Sequence, residues 1–176
     1  GHFTQGQEDW QIAAVASIGL LCPWNTETIS NKLMVYIDNE GKYIRAGHVL
    51  ELGFAQQESM IKMISSWSTY LECSIAKETI IKQCATLGLG MAYAGRNKQE
   101  LQEILTTPIV DTIAIRVGAF AALALGLSFV GQCNEEVAGA IVQTLMERSE
   151  DQLNSQTARY FGIGLALLFM GQQNKC

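Results

Sequence analysis

The chain has 176 residues, 48% of them hydrophobic and 16% charged, with a formal net charge of -5. That apolar content is enough for one domain with a substantial core and argues against disorder, while the acidic balance argues against a nucleic-acid partner, whose non-specific affinity comes from clustered Lys and Arg. The longest strongly apolar stretch, 117–131, has 15 residues, short of the roughly 20 that a bilayer-crossing helix needs, so no membrane partner is expected.

A small-residue phrase recurs five times: Ala16-Ser17-Ile18-Gly19-Leu20, Leu50-Glu51-Leu52-Gly53-Phe54, Leu87-Gly88-Leu89-Gly90-Met91, Leu123-Ala124-Leu125-Gly126-Leu127 and Ile163-Gly164-Leu165-Ala166-Leu167. Its last small residues lie at positions 19, 53, 90, 126 and 166, separated by 34, 37, 36 and 40 residues. A period of this size marks stacked supersecondary units. The units are read as residues 10–40, 41–76, 77–111, 112–151 and an incomplete 152–176 of a single domain. Each holds a short Gly- and Ala-rich apolar segment, a polar break and a longer amphipathic segment. The expected fold is therefore all-α, a superhelix or toroid of two-helix repeats.

Units one and two carry the pattern weakly. In the third, residues 82–94 read as a buried helix, Gly95-Arg96-Asn97 as the turn, and residues 98–106 as the amphipathic partner, ending near Pro108. In the fourth, residues 115–130 are apolar except for Arg116 and Ser128, a helix buried on most sides. Asn134 is placed to cap the following helix, with Glu135 and Glu136 in its first turn, where carboxylates favour the helix dipole. Helical spacing puts Ala138, Ile141, Val142 and Leu145 on one face of that helix and Glu136, Ala140, Gln143 and Glu147 on the other.

Gly53, Gly88, Gly90, Gly126, Gly162 and Gly164 fall inside predicted helices, each at a cost of about 1 kcal/mol relative to alanine. Close backbone approach between neighbouring helices offsets such a cost through added dispersion contacts. Inner helices stacked this tightly would curve into an arc or closed ring, with the longer helices outside.

Catalytic chemistry is scarce. Gly1-His2 reads as the remnant of a cleaved tag, and the fifth unit stops after its first helix, so an excised piece of a larger protein is expected. That leaves His48, which reads as a satisfied core or boundary histidine; His-based triads, multi-His metal sites and enzymatic activity are not expected. The run Gly88 to Gly95 lacks GxGxxG spacing, a Walker lysine and a preceding strand, so it is not read as a nucleotide site. Trp67, Tyr70, Tyr93 and Phe129 read as packing groups, and Lys77, Glu78 and Lys82 as a solvated helix start with an acid-first i, i+4 pair. The five cysteines are widely spaced without a CxxC pair, a pattern of free thiols. No cofactor is called for.

The phrase, written small-x-x-x-Leu-Gly/Ala-Leu-Gly-Leu with a second Gly five residues on, resembles the proteasome/cyclosome repeat. Gly88-Leu-Gly-Met-Ala-Tyr-Ala-Gly95, Val130-Gly-Gln-Cys-Asn134, Met146-Glu-Arg-Ser149 and Leu168-Phe-Met-Gly-Gln172 look like the repeat toroid of the large non-ATPase scaffold subunits of the 26S proteasome regulatory particle. Residues 14–24, Tyr36 and Tyr43-Ile-Arg-Ala-Gly47 are similar to the preceding repeats.

The resemblance implies a non-catalytic cytoplasmic and nuclear scaffold. It would dock ubiquitin, ubiquitin-like domains of shuttle factors and a deubiquitinase on outer helices, beside the ATPase subunits of the base. The acidic positions of the family's first receptor site fall on Glu136, Gln143 and Glu147, with one acid replaced by an amide. Ala140 offers a small apolar landing between them, Glu135 and Glu150 add to the field, and Glu100 and Glu103 on the preceding outer helix lie alongside. Such a stripe suits an apolar patch rimmed by Lys and Arg, which is what ubiquitin-like domains present. The family's deubiquitinase site reads Leu-Asp-Lys-Tyr-Leu, where this chain has Leu33-Met34-Val35-Tyr36-Ile37, so that site is not carried over. Two other readings stay open: a purely architectural repeat, and an enzyme whose active site lies outside these residues.

Overall fold

The computed structural model describes residues 2–21, 41–54, 79–110 and 115–171. Residues 33–37, Trp67, Tyr70, Lys77 and Glu78, together with the second-helix segments of the first two units, lie outside the described residues. Among the described residues there are eight helices and no strand: α1 (His2–Leu21), α2 (Lys42–Phe54), α3 (Thr79–Ala92), α4 (Gln99–Val110), α5 (Ile115–Ser128), α6 (Glu135–Met146), α7 (Glu150–Leu153) and α8 (Ala158–Leu168). The all-α expectation holds. None of these helices is long and apolar enough to cross a membrane.

The chain forms two compact units, Gly1–Ala92 and Tyr93–Cys176. In the first, α2 packs against both α1 and α3, so the phrase-bearing helices of successive repeats are direct neighbours. Ala16, Ala46, Val49, Ile81 and Leu89 close the core. Glycine makes the approach possible. A Cβ at Gly47 would lie 2.7 Å from the Val15 Cβ, and one at Gly53 would run into the Gly88 backbone. His48 is half-buried and its Nδ1 lies 2.8 Å from Glu51 Oε2, the satisfied boundary position expected for it.

In the second unit α5 packs against α8 and α4, and α4 packs against α6. Phrase helices thus stack on phrase helices, and second helices on second helices. A Cβ at Gly126 would come within 2.7 Å of Gly164 Cα, and one at Gly164 would meet the Ala122 carbonyl. In both units the glycine of one phrase faces the residue two positions before the last small residue of the next phrase: Gly53 against Gly88, Gly126 against Gly164. The Phe120 and Tyr160 rings stack across the same seam at 5.1 Å. Gly162 departs from the pattern, since nothing lies within 4 Å of where its Cβ would be; close approach does not account for that glycine.

The repeat is also written in its turns. Gly95, Gly131 and Gly171 adopt φ of 70, 70 and 78°, the left-handed region that glycine enters without steric cost. Each stands five residues after the last small residue of its phrase. Gly95 N donates to Leu127 O at 3.0 Å, and Gly131 N donates to Leu167 O at 3.0 Å. Two residues on, Asn97 and Cys133 again have positive φ, and their amides donate to Ser128 O and Leu168 O. The turns at Gly95 and Gly131 thereby satisfy terminal carbonyls of α5 and α8, which would otherwise lack partners.

Three expectations are corrected. The first helices are not the shorter ones: α3 and α5 have 14 residues each, α4 and α6 have 12. The apolar segments extend because the residues preceding the phrase, such as Thr79 to Ile81, also wind into the helix. α4 runs to Val110 with Pro108 inside it; a proline in the last turn forfeits only one helical bond, and its carbonyl abuts Gly118, where a Cβ would be 2.8 Å away. Cys84 is a free, buried thiol, but Cys133 is disulfide-bonded, so free thiols are not the rule throughout.

Candidate docking surface

α6 begins as its sequence dictates. Asn134 sits in extended backbone (φ −66°, ψ 101°) and its Oδ1 accepts from Val137 N at 3.1 Å, with Glu135 and Glu136 in the first turn. The helix buries Val137, Ala138, Ile141 and Thr144. Val137 and Ile141 are wholly inaccessible, and sequestering side chains of this size contributes about 1.5–3 kcal/mol each. Thr144 is tolerated inside because its hydroxyl donates to Ala140 O at 2.8 Å and lies 3.4 Å from Ile109 O on α4.

This buried stripe is rotated from the one helical spacing alone assigns. Val142, expected on the packed face, is 37% exposed, and Met146 is 80% exposed. The neighbours α4, α5 and α8 select which side of α6 is covered, and Val137 and Thr144 take the place of Val142. The expected solvent face is otherwise present: Glu136, Gln143 and Glu147 are exposed and Ala140 is half-buried. Glu135, on the same helix, is exposed, as are Glu100 and Glu103 on α4, which packs beside α6, and Glu150 on α7.

Two exposed strips therefore run along α6. One carries Glu136, Ala140, Gln143 and Glu147. The other, a residue or so around the helix, carries Gly139, Val142 and Met146 and is apolar. Glu136 and Glu147, at the two ends of the first strip, are eleven residues apart, about 16 Å along the axis. Both carboxylates are held by amides. Gln102 Nε2 donates to Glu136 Oε2 at 2.6 Å, and Gln143 Nε2 donates to Glu147 Oε1 at 3.1 Å. The amide in the middle of the stripe thus has a second consequence besides removing a charge: it orients the neighbouring acid. Neutral donors leave the full negative charge on each carboxylate.

Three residues of this surface escaped the sequence reading. Spacing puts Val142 on the packed face, and Met146 enters only through the phrase Met146-Glu-Arg-Ser149. Gln102 is polar yet only 3% exposed; it lies directly beside the buried stripe Leu101, Leu105 and Ile109, which is the signal that marks it.

Comparison with curated proteins returns a consistent set of relatives. The chain is 39% identical over 171 residues, 97% of its length, to the 26S proteasome regulatory subunit rpn1 of Schizosaccharomyces pombe. It is 33% identical over 177 residues to the regulatory subunit rpn-1 of Neurospora crassa, and 30% identical over 165 residues to the 26S proteasome non-ATPase regulatory subunit 2 of Dictyostelium discoideum. The chain is homologous to a segment of this proteasome subunit. It spans 19% of the length of the first of these relatives and 18% of the third. No family model matches it. The relatives are regulatory, and the Dictyostelium protein is non-ATPase by name. That agrees with the repeat resemblance drawn from the phrases.

Proposed function

We propose that the chain is a non-catalytic scaffold segment of the proteasome regulatory particle, and that α6 docks ubiquitin and the ubiquitin-like domains of shuttle factors. The observation that carries this reading is the pairing on one exposed helix of a fixed acidic strip with an apolar strip, Val142 and Met146. Ubiquitin-like folds offer the complement, an apolar patch with a basic rim. The carboxylates at Glu136 and Glu147 steer and orient the partner, each exposed ion pair contributing up to about 1 kcal/mol. Burial of Val142 and Met146 supplies the non-directional part of the affinity. Because α6 is capped and packed before the partner arrives, docking needs little backbone rearrangement.

Glu100, Glu103, Glu135 and Glu150 widen the negative field around this surface. The ATPase subunits of the base and a deubiquitinase are further partners on this reading, in cytoplasm and nucleus. One observation favours a purely architectural role instead: both key carboxylates already have amide partners within the chain, as in an ordinary surface network.

Titration of 15N-labelled ubiquitin with the chain separates the two. Docking moves resonances of ubiquitin's apolar patch, and the Glu136→Arg/Glu147→Arg variant abolishes the movement. Unchanged spectra with the folded, unmodified chain leave the architectural reading.

A further inference from the structure

We infer that Gln102 is a positioning residue for docking: from its buried place on α4 it fixes the Glu136 carboxylate on α6 in the orientation that meets a cationic partner. The inference rests on the docking reading above. Gln102 is nearly inaccessible and its amide is used at both ends. Nε2 donates to Glu136 Oε2 at 2.6 Å, while Oε1 accepts from Asn134 Nδ2 at 2.7 Å. Asn134 in turn caps α6 through Val137 N. One side chain from the neighbouring helix thus ties down the start of α6 and the first acid of the stripe together.

The chemistry of the donor matters. A Lys or Arg in this position would neutralise Glu136 and compete with the partner's cation. A primary amide bonds one carboxylate oxygen, Glu136 Oε2, and brings no positive charge of its own. An exposed glutamate otherwise samples several rotamers, and a partner that captures it must offset that lost freedom. Gln102 removes most of the freedom in advance, at a point where water does not compete for its own amide. Gln143 does the same for Glu147 in a weaker way, being exposed.

The test is a double-mutant cycle on binding of ubiquitin to the full 176-residue chain, using Gln102→Met and Glu136→Ala. Unfolding midpoints are recorded first, and Gln102→Leu replaces Gln102→Met if the latter does not fold. Gln102→Met is expected to weaken ubiquitin binding about 2- to 10-fold, the cost of immobilising one flexible side chain, and to have no effect in the Glu136→Ala background. Equal losses in both backgrounds, or no loss in either while Glu136→Ala itself weakens binding, overturn the positioning role. No effect of Glu136→Ala overturns the docking reading on which it rests, and this inference with it.

Discussion

Two glycines two residues apart in α8 are predicted to respond in opposite ways to the same substitution. At Gly162 a methyl group enters open space. At Gly164 it would run into the Ala122 carbonyl, with Ala122 C at 2.7 Å and Leu123 N at 3.1 Å. These obstacles are backbone and cannot rotate aside, so α5 and α8 must separate and the contacts along their seam weaken. Replacing glycine by alanine inside a helix gains about 1 kcal/mol from backbone entropy, and that gain is common to both sites. Overpacking typically costs about 1–3 kcal/mol and applies at Gly164 alone. Gly162→Ala is therefore expected to be more stable than the parent chain by about 1 kcal/mol, and Gly164→Ala to fall below Gly162→Ala by about 1–3 kcal/mol. Urea unfolding followed by helical circular dichroism, compared at equal slope, gives both numbers. If Gly164→Ala is as stable as Gly162→Ala, the account of the glycine seam is wrong.

Asn134→Ala removes the cap of α6 and the partner of Gln102 Oε1, and is expected to cost about 1 kcal/mol, measured by the same unfolding experiment. Ser128 is fully buried and its Oγ has no hydrogen-bond partner among the described residues; Ser128→Ala is expected to stabilise the chain by about 1 kcal/mol, since an unsatisfied buried hydroxyl is removed. Burial raises the Cys84 thiol from 9.0 to about 11. Its folded pKa lies above its unfolded one, so its contribution to stability is constant below about pH 9 and is lost as pH rises from about 9 to 11. A Cys84→Ala variant should lack that alkaline decline, and alkylation of the folded chain at neutral pH should be slow.

The repeat, its all-helical class and the turn glycines were legible because each rests on short-range chemistry. Gly95 announces a turn, Gly131 and Gly171 recur five residues after their own phrases, and Asn134 followed by two glutamates announces a helix start. The phrase glycines signal close approach at Gly53, Gly88, Gly126 and Gly164, whereas at Gly162 the same residue has no neighbour. What periodicity could not supply is which neighbour covers which face. Val142 reads as core by spacing and is exposed, because the helices packed against α6 cover the side of Val137 and Thr144 instead. Gln102 is buried despite its polarity, because Glu136 on α6 and its cap Asn134, more than thirty residues away in sequence, satisfy both ends of its amide. The exposed acids Glu136 and Glu147 were legible, while the apolar strip beside them and the amides that hold them emerge only from the packing.

The most direct test of the docking claim observes this chain rather than its partner. Amide and methyl resonances of the labelled chain are followed as unlabelled ubiquitin is added. Perturbations confined to residues 136–147, including the Val142 and Met146 methyls, are the predicted result. Perturbations that spare this segment, or their absence at saturating ubiquitin, would contradict the assignment of α6 as the docking surface.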